Sequence, residues 1–155
     1  MAIEIERKFL VRDDSWRTEA DSGVFYSQGY LSTDPQRCVR VRIAGQRAWI
    51  NIKSAVSSLR RLEYEYEIPR GDASELLRSA CPEPAVEKTR YHVAHQGHVW
   101  ELDVFAGANT GLVVAELELA DEQEEFARPA WLGQEVSDDP RYYNMNLAQV
   151  PYTQW

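Results

Sequence analysis

Cysteine is nearly absent from this sequence: Cys38 and Cys81 are the only two, and they form no C-x-x-C pair. That excludes a disulfide framework and a thiolate zinc site, and leaves two ordinary thiols. A basic surplus is lacking as well. Lys and Arg total 17 against 25 Asp and Glu, a net charge of −8 with a pI near 4.9. A general nucleic-acid binder needs the opposite balance to meet the phosphate backbone. No apolar run approaches the roughly 20 residues that a membrane-spanning helix requires. Charges at Glu4, Glu6, Arg7 and Lys8 stand where a signal peptide would carry its apolar region. Fixed-period repeats and low-complexity segments are missing too. The expectation is a cytoplasmic protein that engages neither nucleic acid nor a membrane. Its 155 residues, 44% hydrophobic and 27% charged, suit a single domain, 1–155, able to bury a continuous core without staples.

What the chain does have is alternation. Ile3 to Phe9 reads as a strand with Glu4, Glu6 and Lys8 on one face and Ile3, Ile5 and Phe9 on the other. Seven more strands follow, at 24–31, 38–43, 48–54, 61–68, 86–94, 99–105 and 112–119. Arg40 and Arg42 alternate with Val39, Val41 and Ile43, and Lys53 stands opposite Ile50 and Ile52. Glu63, Glu65 and Glu67 alternate with Leu62, Tyr64, Tyr66 and Ile68. Lys88 with Arg90, Glu101 with Asp103, and Glu116 with Glu118 mark the charged faces of the last three. Asp72 with Glu75 predicts a capped helix start, and Asp121 with Glu124 a second. Asp139 followed by Pro140 predicts a short terminal helix. Hairpin-length links between so many strands point to an antiparallel meander closing on itself.

The ordinary explanation of such strands is a sheet with one face on a core and the other in water. Two features argue against it. The charges are segregated by strand into purely basic and purely acidic pairs, whereas a surface built for solubility intersperses its signs. The apolar helix faces also need a partner, and the apolar strand faces are the one on offer. The result is a barrel turned inside out, charged within and jacketed by helices. Its interior must be wet, internally paired and occupied by ligand, because unpaired buried charge costs several kcal/mol per ion. Carboxylate pairs suit a hard cation such as Mg²⁺, and Arg-rich rows suit phosphate. Metal plus polyphosphate satisfies both rows together.

The run Glu4-x-Glu6-x-Lys8, followed in order by Arg40/Arg42, Lys53, Glu63/Glu65, Lys88/Arg90, Asp103 and Glu116/Glu118, resembles the CYTH superfamily, the triphosphate tunnel metalloenzymes. The resemblance covers essentially the whole chain. It implies a mainly β (α+β) fold, a closed eight-stranded antiparallel barrel with a charged interior and outer covering helices. It also implies cleavage of a triphosphate with Mg²⁺ or Mn²⁺. By position, Glu4, Glu6 and Glu118 are the implied primary metal ligands. Glu116, with Asp103, would hold a second metal or orient the attacking water, and Glu63 and Glu65 would serve metal or steady the cations. Lys8, Arg40, Arg42, Lys53, Lys88 and Arg90 are the implied phosphate grips, with Lys8 and Glu116 in catalytic roles. Inorganic tripolyphosphate is the expected substrate, since no insert for base or sugar recognition is evident. A class IV adenylate cyclase or thiamine triphosphatase would use the same rows, and a non-catalytic polyphosphate-binding module would keep only the basic ones. The sequence leaves a monomer and a homodimer equally open.

Other residues carry duller expectations. His92, His95 and His98 flank a hairpin tip and alternate poorly onto one face, so a solvated turn is expected rather than zinc. Tyr30 and Trp49 suit aromatic packing as well as a tunnel mouth, Tyr64 and Tyr66 belong under a helix, and Arg61 and Glu67 are expected to pair at the rim.

Overall fold

Period-two alternation is what this chain converts into structure. A computed structural model describes residues 3–155, so Met1 and Ala2 of the expected domain lie outside the described residues. Eight strands appear: β1 (Ile3–Val11), β2 (Val24–Ser32), β3 (Cys38–Ala44), β4 (Arg47–Ala55), β5 (Arg60–Ile68), β6 (Val86–His95), β7 (His98–Phe105) and β8 (Val113–Leu119). They pair antiparallel in the order β5-β4-β3-β2-β6-β7-β8-β1, and β5 returns to β1 with Ile3 opposite Leu62 and Ile5 opposite Arg60. The expected eight-stranded barrel is therefore closed, which removes the free edges an open sheet would leave. A ninth strand, β9 (Leu132–Glu135), was not expected. It takes the half of β1 that β5 leaves free, pairing Phe9 with Glu135 and Val11 with Leu132. Gly133 permits the approach, since a Cβ there would lie 2.9 Å from the Leu10 carbonyl oxygen.

Register places the charges against one another inside. Lys8 and Glu101 both lie opposite Glu116, Lys53 opposite Glu63, and Arg90 opposite Asp103. Outside, Ile5, Phe9, Trp100, Leu102 and Leu117 pack beneath Trp16 and Trp131. On the opposite flank Val41 and Ala48 pack beneath Ala73, Leu76 and Leu77 of α1 (Arg70–Ser79). α1 starts from Pro69 with no side-chain cap, so the expected Asp72–Glu75 capping box does not form. Asp72 instead lies in the first turn, where the helix dipole favours a carboxylate.

The jacket of helices is only partly realised. Asp121–Glu124 forms a turn, not a helix: Glu124 N–H donates to the Asp121 carbonyl, and the Glu124 carboxylate accepts from Ala120 N–H and pairs with His98. The segment after it covers the barrel by setting the Phe126 ring edge-on to Phe9 and Trp100. Tyr64 and Tyr66, expected under a helix, are 39% and 59% exposed.

At the C-terminus Asp139 accepts from Arg141 N–H and Pro140 opens a 3₁₀ turn, as the sequence predicts. The turn breaks at Tyr143, and α2 (Asn144–Gln149) restarts the helix. Leu147 is fully buried in a cluster with Val86, Phe105 and Val114, which share strand faces with Lys88, Asp103 and Glu116. The tail thus lays an apolar layer at one end of the charged interior. Among the described residues no helix is long and apolar enough to cross a membrane.

Candidate functional site

Above this floor lies a cavity of about 570 Å³. Every expected site residue except Asp103 lines it: Glu4, Glu6, Lys8, Arg40, Arg42, Lys53, Glu63, Glu65, Lys88, Arg90, Glu116 and Glu118. Most face inward because they alternate with outward apolar residues on their own strands, while Lys88, between Glu87 and Thr89, keeps the phase of Val86 and Arg90. Arg61 and Glu101 line it too, although sequence reasoning left both out of the site. Their signal was present in the alternation, Arg61 in phase with Glu63 and Glu101 with Asp103. The tail contributes Tyr143, Asn144, Met145 and Asn146, which no pattern of alternation could have revealed.

Ion pairing inside is extensive but incomplete. Lys53 Nζ lies 3.2 Å from Glu4 and 3.0 Å from Glu63, and Arg61 lies 3.4 Å from Glu4. Lys8 Nζ lies 3.4 Å from Glu116 and donates to the Tyr142 carbonyl at 3.0 Å. Arg90 reaches Asp103, Glu101 and Glu116 at 2.8, 2.9 and 3.2 Å. Asp103 departs from its expected role near metal. It is fully buried, with one oxygen 2.6 Å from Lys88 Nζ and both oxygens accepting from Arg90, so it faces cations rather than the cavity. Burial still pushes the Lys88 ammonium down to about 7, against the pull of Asp103.

Charge is left over on both sides. Among the described residues Arg40 and Arg42 have no carboxylate partner; their Nε groups donate to the amides of Asn51 at 3.4 Å and Gln28 at 2.9 Å. Burial, with Arg40 and Arg90 nearby, lowers Arg42 to about 10. On the acidic side Glu6 has no ion pair among the described residues. Burial, then the Glu116 and Glu4 charges, raise its carboxyl to about 8. Oxygens of Glu6, Glu101 and Glu116, on β1, β7 and β8, all lie within 4.8 Å of one another. Glu4 and Glu118 border this trio but do not converge with it; burial and then the charges of Glu4 and Glu101 raise the Glu118 carboxyl. A cluster of carboxylate oxygens next to an unneutralised Glu6 is the donor set that a hard divalent cation takes.

A model of the CYTH domain matches residues 2–143. The chain belongs to the CYTH family. Among CYTH relatives, an inorganic triphosphatase of Acetivibrio thermocellus is 47% identical over 152 residues, covering 98% of this chain and 97% of the relative. An inorganic triphosphatase of Nitrosomonas europaea is 39% identical over 149 residues, covering 94% and 96%. The crystal structure of an inorganic triphosphatase superposes with a TM-score of 0.67 at 38% identity, covering 96% of this chain and 95% of that one. The CYTH barrel of this chain carries other candidates elsewhere. His92 lies 3.2 Å from Asp21 and 3.7 Å from Glu101, and His98 lies 2.6 Å from Glu124. Tyr30 lines the cavity and is otherwise buried, with Gln28 Nε2 donating to its hydroxyl, and Glu67 pairs with Arg47 at the exposed rim as expected.

Glu6 supplies a pH-dependent prediction. With its folded-state carboxyl raised to about 8 from the ordinary 4.5, the metal-free protein holds this proton at neutral pH. A raised pKa stabilises below the unfolded value, so this contribution should decline as pH rises from about 4.5 through 8. Binding Mg²⁺ or Mn²⁺ near pH 7 should then release a proton. Calorimetry in two buffers of different ionisation enthalpy should show that release, shrinking towards zero above pH 9. An unchanged proton count would remove Glu6 from the metal-coupled set.

Proposed function

We propose that this chain hydrolyses inorganic tripolyphosphate to pyrophosphate and phosphate inside the barrel, with Mg²⁺ or Mn²⁺ as cofactor. The observation that carries this reading is one cavity that holds unpaired groups of both kinds: among the described residues Arg40 and Arg42 have no carboxylate partner, and Glu6, with no cation partner, converges with Glu101 and Glu116. A polyanion and a divalent cation bound together complete both sets. The relatives named inorganic triphosphatases, aligned over nearly the whole chain, supply the substrate class.

The residues divide the work. Glu6, Glu101 and Glu116 would hold the cation, bordered by Glu4 and Glu118. When bound there, a divalent ion supplies charge neutralisation at the transferred phosphoryl group and Lewis acidity for the attacking water. Arg40 and Arg42 bind phosphate oxygens through guanidinium nitrogens that no carboxylate occupies. Lys8, Lys53, Lys88 and Arg90 add charge-assisted contacts along the chain of phosphates and stabilise the charge that spreads over them in the transition state. Glu63 and Glu65 steady this basic side, Glu63 through Lys53 and Glu65 through Asn51.

Phosphate release from tripolyphosphate, with and without Mg²⁺ or Mn²⁺ and beside ATP at equal concentration, tests the proposal. Metal-dependent release from tripolyphosphate, well above that from ATP, is expected. Pyrophosphate with cyclic AMP from ATP, and nothing from tripolyphosphate, would replace hydrolysis with cyclisation.

A further inference from the structure

Gln28 is fully buried in the barrel wall, and nothing in the division of metal and phosphate roles accounts for it. Arg42 Nε donates to Gln28 Oε1 at 2.9 Å, and Gln28 Nε2 donates to Asn144 Oδ1 at 3.0 Å. The same Asn144 oxygen accepts from Lys88 Nζ at 3.1 Å. The sense of each bond is forced, because guanidinium and ammonium groups only donate. Arg42 requires the oxygen end of the Gln28 amide, which leaves the nitrogen end for Asn144. Gln28 and Lys88 then both require the Asn144 oxygen. The Arg42 guanidinium also lies 4.6 Å from the Tyr26 ring, while its terminal nitrogens have no protein partner among the described residues.

We propose that Gln28 and Asn144 are positioning residues for the triphosphate, a neutral amide relay that holds Arg42 and Lys88 in place without cancelling the charge of Arg42. The inference rests on the triphosphate reading above and extends it to residues outside the metal and phosphate sets. A carboxylate at position 28 would grip Arg42 more firmly than an amide of the same shape. It would also neutralise the guanidinium that the substrate needs and repel the polyanion across a low-dielectric cavity. An amide orients and leaves the field intact. Because Asn144 is the first residue of α2, and the Tyr142 carbonyl accepts from Lys8, the relay also fastens the floor segment to two of the phosphate-gripping lysines.

The test compares wild-type protein with Gln28→Glu and Gln28→Met by metal-free tripolyphosphate calorimetry, thermal melting and steady-state kinetics. Q28E is expected to melt close to wild type, because the ion pair it gives Arg42 is offset by a carboxylate oxygen facing the Asn144 oxygen, two acceptors, at a buried position. Its tripolyphosphate Kd should weaken by about 10- to 100-fold, with KM rising more than kcat falls. Q28M keeps the bulk, removes all three side-chain hydrogen bonds, to Arg42, Asn144 and Tyr30, and adds no charge; a weakening of about 3- to 10-fold is expected. A merely structural glutamine gives the opposite pattern, with lower melting temperatures and unchanged Kd in both variants, and that result overturns the relay. Wild-type protein that fails to bind tripolyphosphate at all would overturn the triphosphate reading itself, which the variant comparison leaves untouched.

Discussion

Replacing Glu6 by Gln is expected to lower metal-dependent tripolyphosphate hydrolysis by about 10³-fold, with metal-free tripolyphosphate binding kept or tightened. Among the described residues Glu6 makes no ion pair, and its oxygen is one of three that converge with those of Glu101 and Glu116. Gln has the same shape and no charge, so the substitution removes a cation ligand while imitating the protonated carboxyl that the metal-free protein holds near pH 7. Metal-free melting should therefore match wild type at pH 7 and exceed it near pH 9, where wild-type Glu6 ionises beside Glu4 and Glu116. Near pH 7 the substitution leaves the charge of the metal-free wall unchanged, and above about 8 it removes a negative one, so a bound polyanion should not be weakened. Single-turnover kinetics with calorimetry separates the two effects. Full turnover in Glu6→Gln would show that the cation, if required, sits elsewhere.

Much of this was legible in the sequence because a strand reports its two faces directly. Once Arg40, Arg42, Lys88 and Arg90 are read at period two, their inward orientation follows, and so does the cavity they line. What alternation does not report is contact across strands. Glu6, Glu101 and Glu116 converge from β1, β7 and β8, and only closure and register decide that this trio meets rather than Glu4, Glu6 and Glu118. Asp103 and Glu101 share a face two residues apart, yet one is sealed behind Arg90 and the other lines the cavity. The acceptor pattern Asp121–Glu124 serves a turn as readily as a helix start, so it misled. β9 left no signal because Leu132, Gly133, Gln134 and Glu135 show no alternation, and its pairing comes from the edge of β1 that β5 leaves bare. Gln28 and Asn144 carry no charge. Their part in the site appears only once the tail is folded beneath it.

Asp103→Ala should cost about 3–5 kcal/mol of stability, a fall of roughly 10–15 °C in melting temperature for a chain of this size, with the convergent carboxylates Glu6, Glu101 and Glu116 untouched. Burial alone would raise the Asp103 carboxyl, but the charges of Arg90 and Lys88 and the Arg90 hydrogen bonds hold it below its ordinary value. Truncation leaves Lys88, 1% exposed and already depressed by burial, without its nearest anion, and takes from Arg90 the partner of both Nε and Nη2. The sign of the pH dependence follows from the lowered pKa. The Asp103 contribution is complete above the unfolded carboxylate value of about 3.9 and is lost as pH falls through the lower folded value, so wild type and variant should converge in acid. Melting curves in chelator from pH 3 to 7 measure this directly. A metal ligand at position 103 predicts something else: little change without metal and a large loss of the stabilisation that Mg²⁺ adds. Pairing Asp103→Leu with Lys88→Met should recover part of the stability, since a buried ion pair replaced by apolar groups of similar volume is often neutral, but not tripolyphosphate binding. Stability and binding then move apart in one molecule, because the cation that Asp103 neutralises for the fold is also one that the substrate needs.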